Sequence, residues 1–115
     1  METNKLKMEQ TIEKGKAFNL NTSIDYAAQS VVSKTVIKRD TGTVTLFAFA
    51  KDEGLSTHSA PFDALVYVVD GSARITIGEN PNDLIAGETI IMPAGIPHSV
   101  KATENFKMML VMIKG

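Results

Sequence analysis

The chain has 115 residues, 43% hydrophobic and 22% charged, a size and balance suited to one soluble domain with a single core. Lys and Arg number 12 against 13 Asp and Glu, so no single-sign excess points to nucleic acid or an anionic membrane as a partner. The absence of cysteine removes disulfides, thiolate metal sites and cysteine nucleophiles together.

Residues 1–10 alternate charges without an apolar core, so they do not read as a signal peptide, and no stretch approaches the roughly 20 apolar residues that span a bilayer. The expected location is therefore the cytoplasm. Residues 1–30 read as an N-terminal arm and loop, with a helical turn over 6–12, a short strand over 17–20 and a loop holding a turn of helix over 21–30. Residues 31–115 read as one β-domain.

Within that domain, 31–37 and 43–50 are rich in β-branched and aromatic residues. They flank Asp40-Thr41-Gly42, so the pair reads as a hairpin. Lys51-Asp52-Glu53-Gly54 turns the chain, and 55–59 is a short extended piece. Residues 64–69 form an apolar strand ended by Asp70-Gly71, read as a hairpin turn. Residues 73–77 alternate, and 78–82, with Gly78 and Pro81, read as the next turn. Short strands at 84–85 and 88–92, then 98–102 and 106–113, complete nine or ten. Such spacing of strands and turns predicts an all-β sandwich or barrel.

Residues 65–69 and 108–113 are apolar at both parities. A strand with its back to water alternates, so both faces of these strands are expected to be covered. A second subunit would cover the outer face, giving a homodimer; the N-terminal arm is the alternative cover.

The residues that carry chemistry are the two histidines. His58 lies in Ser56-Thr57-His58-Ser59-Ala60-Pro61, and His98 follows the corner Pro93-Ala94-Gly95-Ile96-Pro97. Gly87, Pro93, Gly95 and His98 stand at the spacing of the second motif of the cupin superfamily, with Ala102 where that motif ends in Asn. His58 and Gly71 fit its first motif, but Ala60 fills the second His slot and Ala64 the Glu slot, with Asp63 one residue earlier. The chain thus resembles a small single-domain cupin, of the conserved-barrel type, with a degenerate first motif. The resemblance implies an all-β double-stranded β-helix, or jelly-roll, barrel.

It also implies where a metal would sit. In metal-binding cupins the His, His and Glu of the first motif and the His of the second hold one divalent transition metal. Here His58 and His98 are the metal positions that remain, and Ala60 and Ala64 are losses, so no tightly bound cofactor is expected. The leading expectation is a barrel that binds a small molecule in a mostly apolar pocket. His58 and His98 serve as its polar anchors, and Met92, Ala60 and Ala64 line it. The other is a metal-dependent enzyme, a dioxygenase, isomerase or decarboxylase of a small organic acid or sugar. Asp63 reads as a solvated turn residue, Arg74 as solvent-facing and Tyr67 as core or interface. No partner among nucleic acids or membranes is expected.

Overall fold

The computed structural model describes residues 12–114. Nine strands follow one another: β1 Val31–Arg39, β2 Gly42–Phe49, β3 Gly54–His58, β4 Ala64–Asp70, β5 Ser72–Ile77, β6 Asn80–Ile85, β7 Thr89–Met92, β8 His98–Ala102 and β9 Phe106–Ile113. They form a five-stranded sheet in the order β1-β2-β9-β4-β7 and a four-stranded sheet in the order β3-β8-β5-β6, every pairing antiparallel. This is the jelly-roll barrel that the sequence predicts. No helix among the described residues is long and apolar enough to cross a membrane.

Alternation explains how the two sheets close on each other. Side chains two apart share a face, so one parity of each strand can be apolar and turned inward. Phe49, Ala64, Val66, Val68, Ala73, Ile75, Leu84, Met92, Val100, Ala102, Phe106 and Met108 form one continuous core between the sheets. The rings of Phe47, Phe49 and Phe106 stack at centroid distances of 5.9 and 5.1 Å and fill one end of it.

The outer face of the five-stranded sheet has its own, smaller apolar cluster. Leu46 and Ala48 pack there with Ile24, and Leu20, Tyr26, Val32, Val36 and Met109 close around them. The segment around the 3-10 turn Asn21–Ser23 lies over this half of the sheet. Polar contacts hold it in place: Tyr26 Oη donates to Asp70 Oδ2 at 2.6 Å, Lys34 Nζ donates to the Ser23 carbonyl, and Lys107 Nζ donates to Asn21. The buried Lys107 ammonium also stands 4.9 Å from the centre of the Tyr26 ring.

Three sequence expectations need correction. Residues 17–20 are not a strand; Leu20, with helical backbone angles, caps the 3-10 turn instead, and its side chain packs against the outer cluster. Asp70-Gly71 does not close a hairpin. β4 has β9 on one side and β7 on the other, so β5 has no free edge to pair with and joins the second sheet. Gly71 turns this corner at φ 77°, where a Cβ would fall 1.7 Å from the Asn105 carbonyl oxygen. Finally, Pro81 and Asn82 belong to β6, not to a turn. β6 is an edge strand, where the N–H that proline lacks is not needed by a neighbour. The helical turn expected at 6–12 lies, but for Ile12, outside the described residues.

Candidate functional site

His98 opens β8, whose inward parity carries His98, Val100 and Ala102, all buried. The corner before it is pinned from two directions. The Gly95 N–H donates to the Ala60 carbonyl at 2.7 Å, and the Ala94 N–H donates to Asp63 Oδ1 at 2.8 Å. Gly95 adopts φ 77°, which a side chain would strain. The loop that leaves β3 and the corner that enters β8 are therefore one joined structure, and each carries a histidine at its strand end.

His58 is placed by a β-bulge. Leu55 pairs with Val100 and His58 with His98, so three steps along β3 match two along β8. Without the extra residue, Thr57 would stand opposite His98. With it, the two imidazoles face each other on the inner side, ring centroids 4.5 Å apart and planes at 70°. Such a bulge re-aims a side chain at the cost of one ladder position.

Both rings are oriented in the same way. His58 Nδ1 lies 2.9 Å from the Ser56 carbonyl and His98 Nδ1 lies 3.1 Å from the Ile96 carbonyl. A carbonyl only accepts, so each Nδ1 carries the hydrogen. In the neutral rings each Nε2 then keeps its lone pair for something else. His98 is buried at 5% exposure and His58 is exposed, so the pair runs from the interior to the surface.

The inner face of the five-stranded sheet carries an apolar row. Ala64 pairs with Met92 on one side and Met112 on the other, and Ala64 and Met92 are buried in the core. Ala60 is half-buried and lends its carbonyl to the Gly95 N–H. The same row continues to Thr43, which pairs with Met112. The Thr43 hydroxyl oxygen is buried and has no hydrogen-bond partner among the described residues. Sequence reasoning passed over Thr43. The available signal was a run of hydroxyls, Thr43 and Thr45, on the parity that farther along carries Phe47 and Phe49.

The donors do not fit a resident metal. A stable site generally takes three or four protein ligands, and among the described residues no group of three His, Cys, Asp or Glu side chains comes together. Ala60 and Ala64 have no donor to offer, and Asp63 is exposed, its carboxylate engaged by the Ala94 N–H. Two imidazole Nε2 atoms remain.

The other residues singled out in the sequence lie away from this pair. Arg74 is exposed on β5 and bonds Asp83 of β6 through two nitrogens, at 2.8 and 3.1 Å. That hydrogen-bonded charge pair raises the guanidinium pKa and lowers the carboxyl pKa. Tyr67 is half-buried on the outer face beside Met109. An open groove of about 570 Å³ runs along the opposite flank, between β6 and β7, lined by residues that include Asn82, Asp83, Glu88 and Ile90. It contains neither histidine.

Comparison with known proteins agrees with this architecture. The cupin-domain family model matches residues 45–114. Among solved structures, the chain is similar to a conserved protein of unknown function from Streptococcus pyogenes. That match has 36% identity and a TM-score of 0.87, and it covers 91% of this chain and 92% of the other. A cupin 2 conserved barrel domain protein from Leptotrichia buccalis shares 40% identity with a TM-score of 0.81; the match covers 84% of this chain but 47% of that longer one. A cupin superfamily protein from Desulfitobacterium hafniense, at 24% identity, has the same fold with a TM-score of 0.86 over 91% and 96% of the two chains. No curated protein matches the chain significantly.

Proposed function

The chain belongs to the cupin family, and we propose that it is a cupin that binds a small, largely apolar organic molecule through His58 and His98, without a tightly held metal. The observation that supports this reading is the paired imidazoles, 4.5 Å apart, with both Nδ1 atoms tied to backbone carbonyls. Each free Nε2 accepts a hydrogen bond when neutral and donates one when protonated, so the pair suits a hydroxyl, a carbonyl or a carboxylate. Met92, Ala64 and Met112, neighbours in one inner row of the five-stranded sheet, suit an apolar body. The other reading of the family pattern, a metal-dependent dioxygenase, isomerase or decarboxylase, asks for donors that Ala60 and Ala64 cannot give.

The test is titration of protein labelled at histidine Cε1, with phenol, benzoate and 1,6-hexanediol as probes, followed by NMR. The expected result is a saturable shift of both histidine signals with at least one probe, lost in His98→Ala. Saturable binding that moves neither signal would overturn the reading.

We propose further that the chain is a homodimer. The outer face of the five-stranded sheet carries an unbroken apolar row, Ile37, Val44, Val111, Leu65 and Ile91, with one residue from each strand. Among the described residues, the cluster around Asn21–Ser23 takes in Val32, Val36 and Met109 but no residue of this row. Ile37 is 47% and Ile91 57% exposed, and Ile113 beside them is 64% exposed. A row without charge gives a charged partner nothing to recognise, whereas a two-fold copy of itself matches it.

A further inference from the structure

We propose that Thr43 and Lys38 form a second polar end of the histidine pocket, and that the ligand there is a small carboxylate carrying a hydroxyl or carbonyl at its far end. This inference rests on the pocket reading above and deepens it.

A second bulge carries the argument. Thr35 pairs with Thr45 and Ile37 with Val44, so β1 holds one residue more than β2 between these positions. Val36 is that residue, and its side chain joins the outer cluster. Without the bulge Ile37 would stand opposite Thr43. With it Lys38 does, and directly opposed residues share a face. Thr43 shares the inner face with Met112, which packs on the core. The inner row at this end of the barrel therefore reads Lys38, Thr43, Met112, Ala64, Met92 across all five strands.

This is the end at which the histidines sit. β4 begins at Ala64 just after the loop from His58, and β7 ends at Met92 just before the corner that leads to His98. At its Lys38 end the row has a cation and at Thr43 a hydroxyl. The Thr43 oxygen is buried without a partner among the described residues, an unusual condition for a native polar group and one that a bound oxygen would relieve. Lys38 is exposed and takes part in no ion pair found among the described residues.

One ammonium and one hydroxyl match a single carboxylate: the charge is neutralised once, and one oxygen receives the Thr43 hydrogen. From Thr43 to Ala64 is two strand spacings, about 9.6 Å. A ligand of roughly that length lays an apolar chain over Met112 and presents its other end to the imidazoles.

The probes are 6-hydroxyhexanoate, hexanoate and 1,6-hexanediol, titrated calorimetrically near pH 7.5 into the native protein, Thr43→Val, Thr43→Ser and Lys38→Met. The native protein is expected to prefer 6-hydroxyhexanoate over 1,6-hexanediol by at least about tenfold. Thr43→Val and Lys38→Met should each erase most of that preference by weakening the acid far more than the diol, and Thr43→Ser should keep it. Equal affinity for acid and diol in the native protein overturns the proposal. So does a preference that survives Thr43→Val and Lys38→Met but is lost in His58→Ala, since the carboxylate then sits on the imidazoles and only the pocket reading stands. If none of the three binds at tens of millimolar while the histidine signals still respond to phenol, the carboxylate end is wrong and the pocket is right. If no probe moves the histidines, both fall.

Discussion

His58 and His98 stand directly opposite each other because β3 spends one residue more than β8 between Leu55 and His58. The two are unequal partners. His98 is buried among inward residues of β8, flanked on its other side by Ile77, and its Nδ1–H is committed to the Ile96 carbonyl. His58 is exposed, at the open end of an edge strand. Truncating His98 removes a buried hydrogen bond and leaves a void, so His98→Ala is expected to cost about 1–3 kcal/mol. His58→Ala should stay within about 0.5 kcal/mol of the native protein. Urea unfolding of both variants checks this, and equal costs would mean that the rings bear the same structural load.

The alanines at the two vacant motif positions make a second expectation. Ala60 is half-buried in the loop pinned to Gly95, close in sequence to His58, whereas Ala64 is buried between Met92 and Met112. A third imidazole at residue 60 would bring the donor count to three. Ala60→His is therefore expected to tighten nickel or zinc binding by at least about tenfold over the native protein, by isothermal titration. Ala64→Glu places a carboxylate where its neighbours are apolar. Without metal it should lower the thermal midpoint, and added metal should restore part of the loss. The native protein, purified without a metal-affinity column, is expected to carry far less than one transition metal per chain by elemental analysis.

The barrel was legible because its signals are local. Alternating β-branched runs separated by Gly, Pro, Asn and Asp announce strands whatever their partners, and the Gly87-to-His98 spacing ties a turn to a histidine. Pairing was less legible. Asp70-Gly71 carries the chemistry of a hairpin turn, yet it joins two sheets because β4 is already flanked by β9 and β7, which no local window reveals. Pro81 looked like a turn residue because a sequence does not say which strand is an edge. The site shows the same limit. Ala64, expected to line the pocket, does face inward, but the bulges before His58 and Lys38 each shift the parity by one, and a bulge leaves no reliable mark in sequence. The hydroxyl of Thr43 became visible only once its surroundings were known to be without a partner for it.

The Tyr26–Asp70 contact gives an expectation about pH. Burial first, then the hydrogen bond and charge of Asp70, push the Tyr26 phenol above its ordinary value. A raised folded-state pKa means the fold favours the protonated phenol. Its contribution is fully present below about pH 10, the unfolded value, and is lost as pH rises through the folded value. Stability should thus fall above about pH 10. Tyr26→Phe should lower stability near neutral pH, by about 1 kcal/mol for a partly buried bond to a carboxylate, and should flatten the alkaline decline. Tyrosinate absorbance during alkaline titration offers an independent reading, since Tyr26 should ionise late, together with release of the segment around Asn21–Ser23.

The outer row, exposed at its Ile37 and Ile91 ends, leads to the last expectation. Ile91 sits at the β7 edge of that row, more than half exposed, with Leu65 as its neighbour on β4. A charge there meets water in a monomer but would be buried against its own like-charged copy near a two-fold axis. Ile91→Glu should therefore leave monomer stability within about 0.5 kcal/mol while shifting sedimentation from dimer to monomer. Ile85→Glu makes the control. Ile85 is 61% exposed but lies on β6, in the other sheet, so the variant should sediment as the native protein does. A native protein that is monomeric at high concentration, or an Ile91→Glu variant that stays dimeric, would place any contact between copies elsewhere on the barrel.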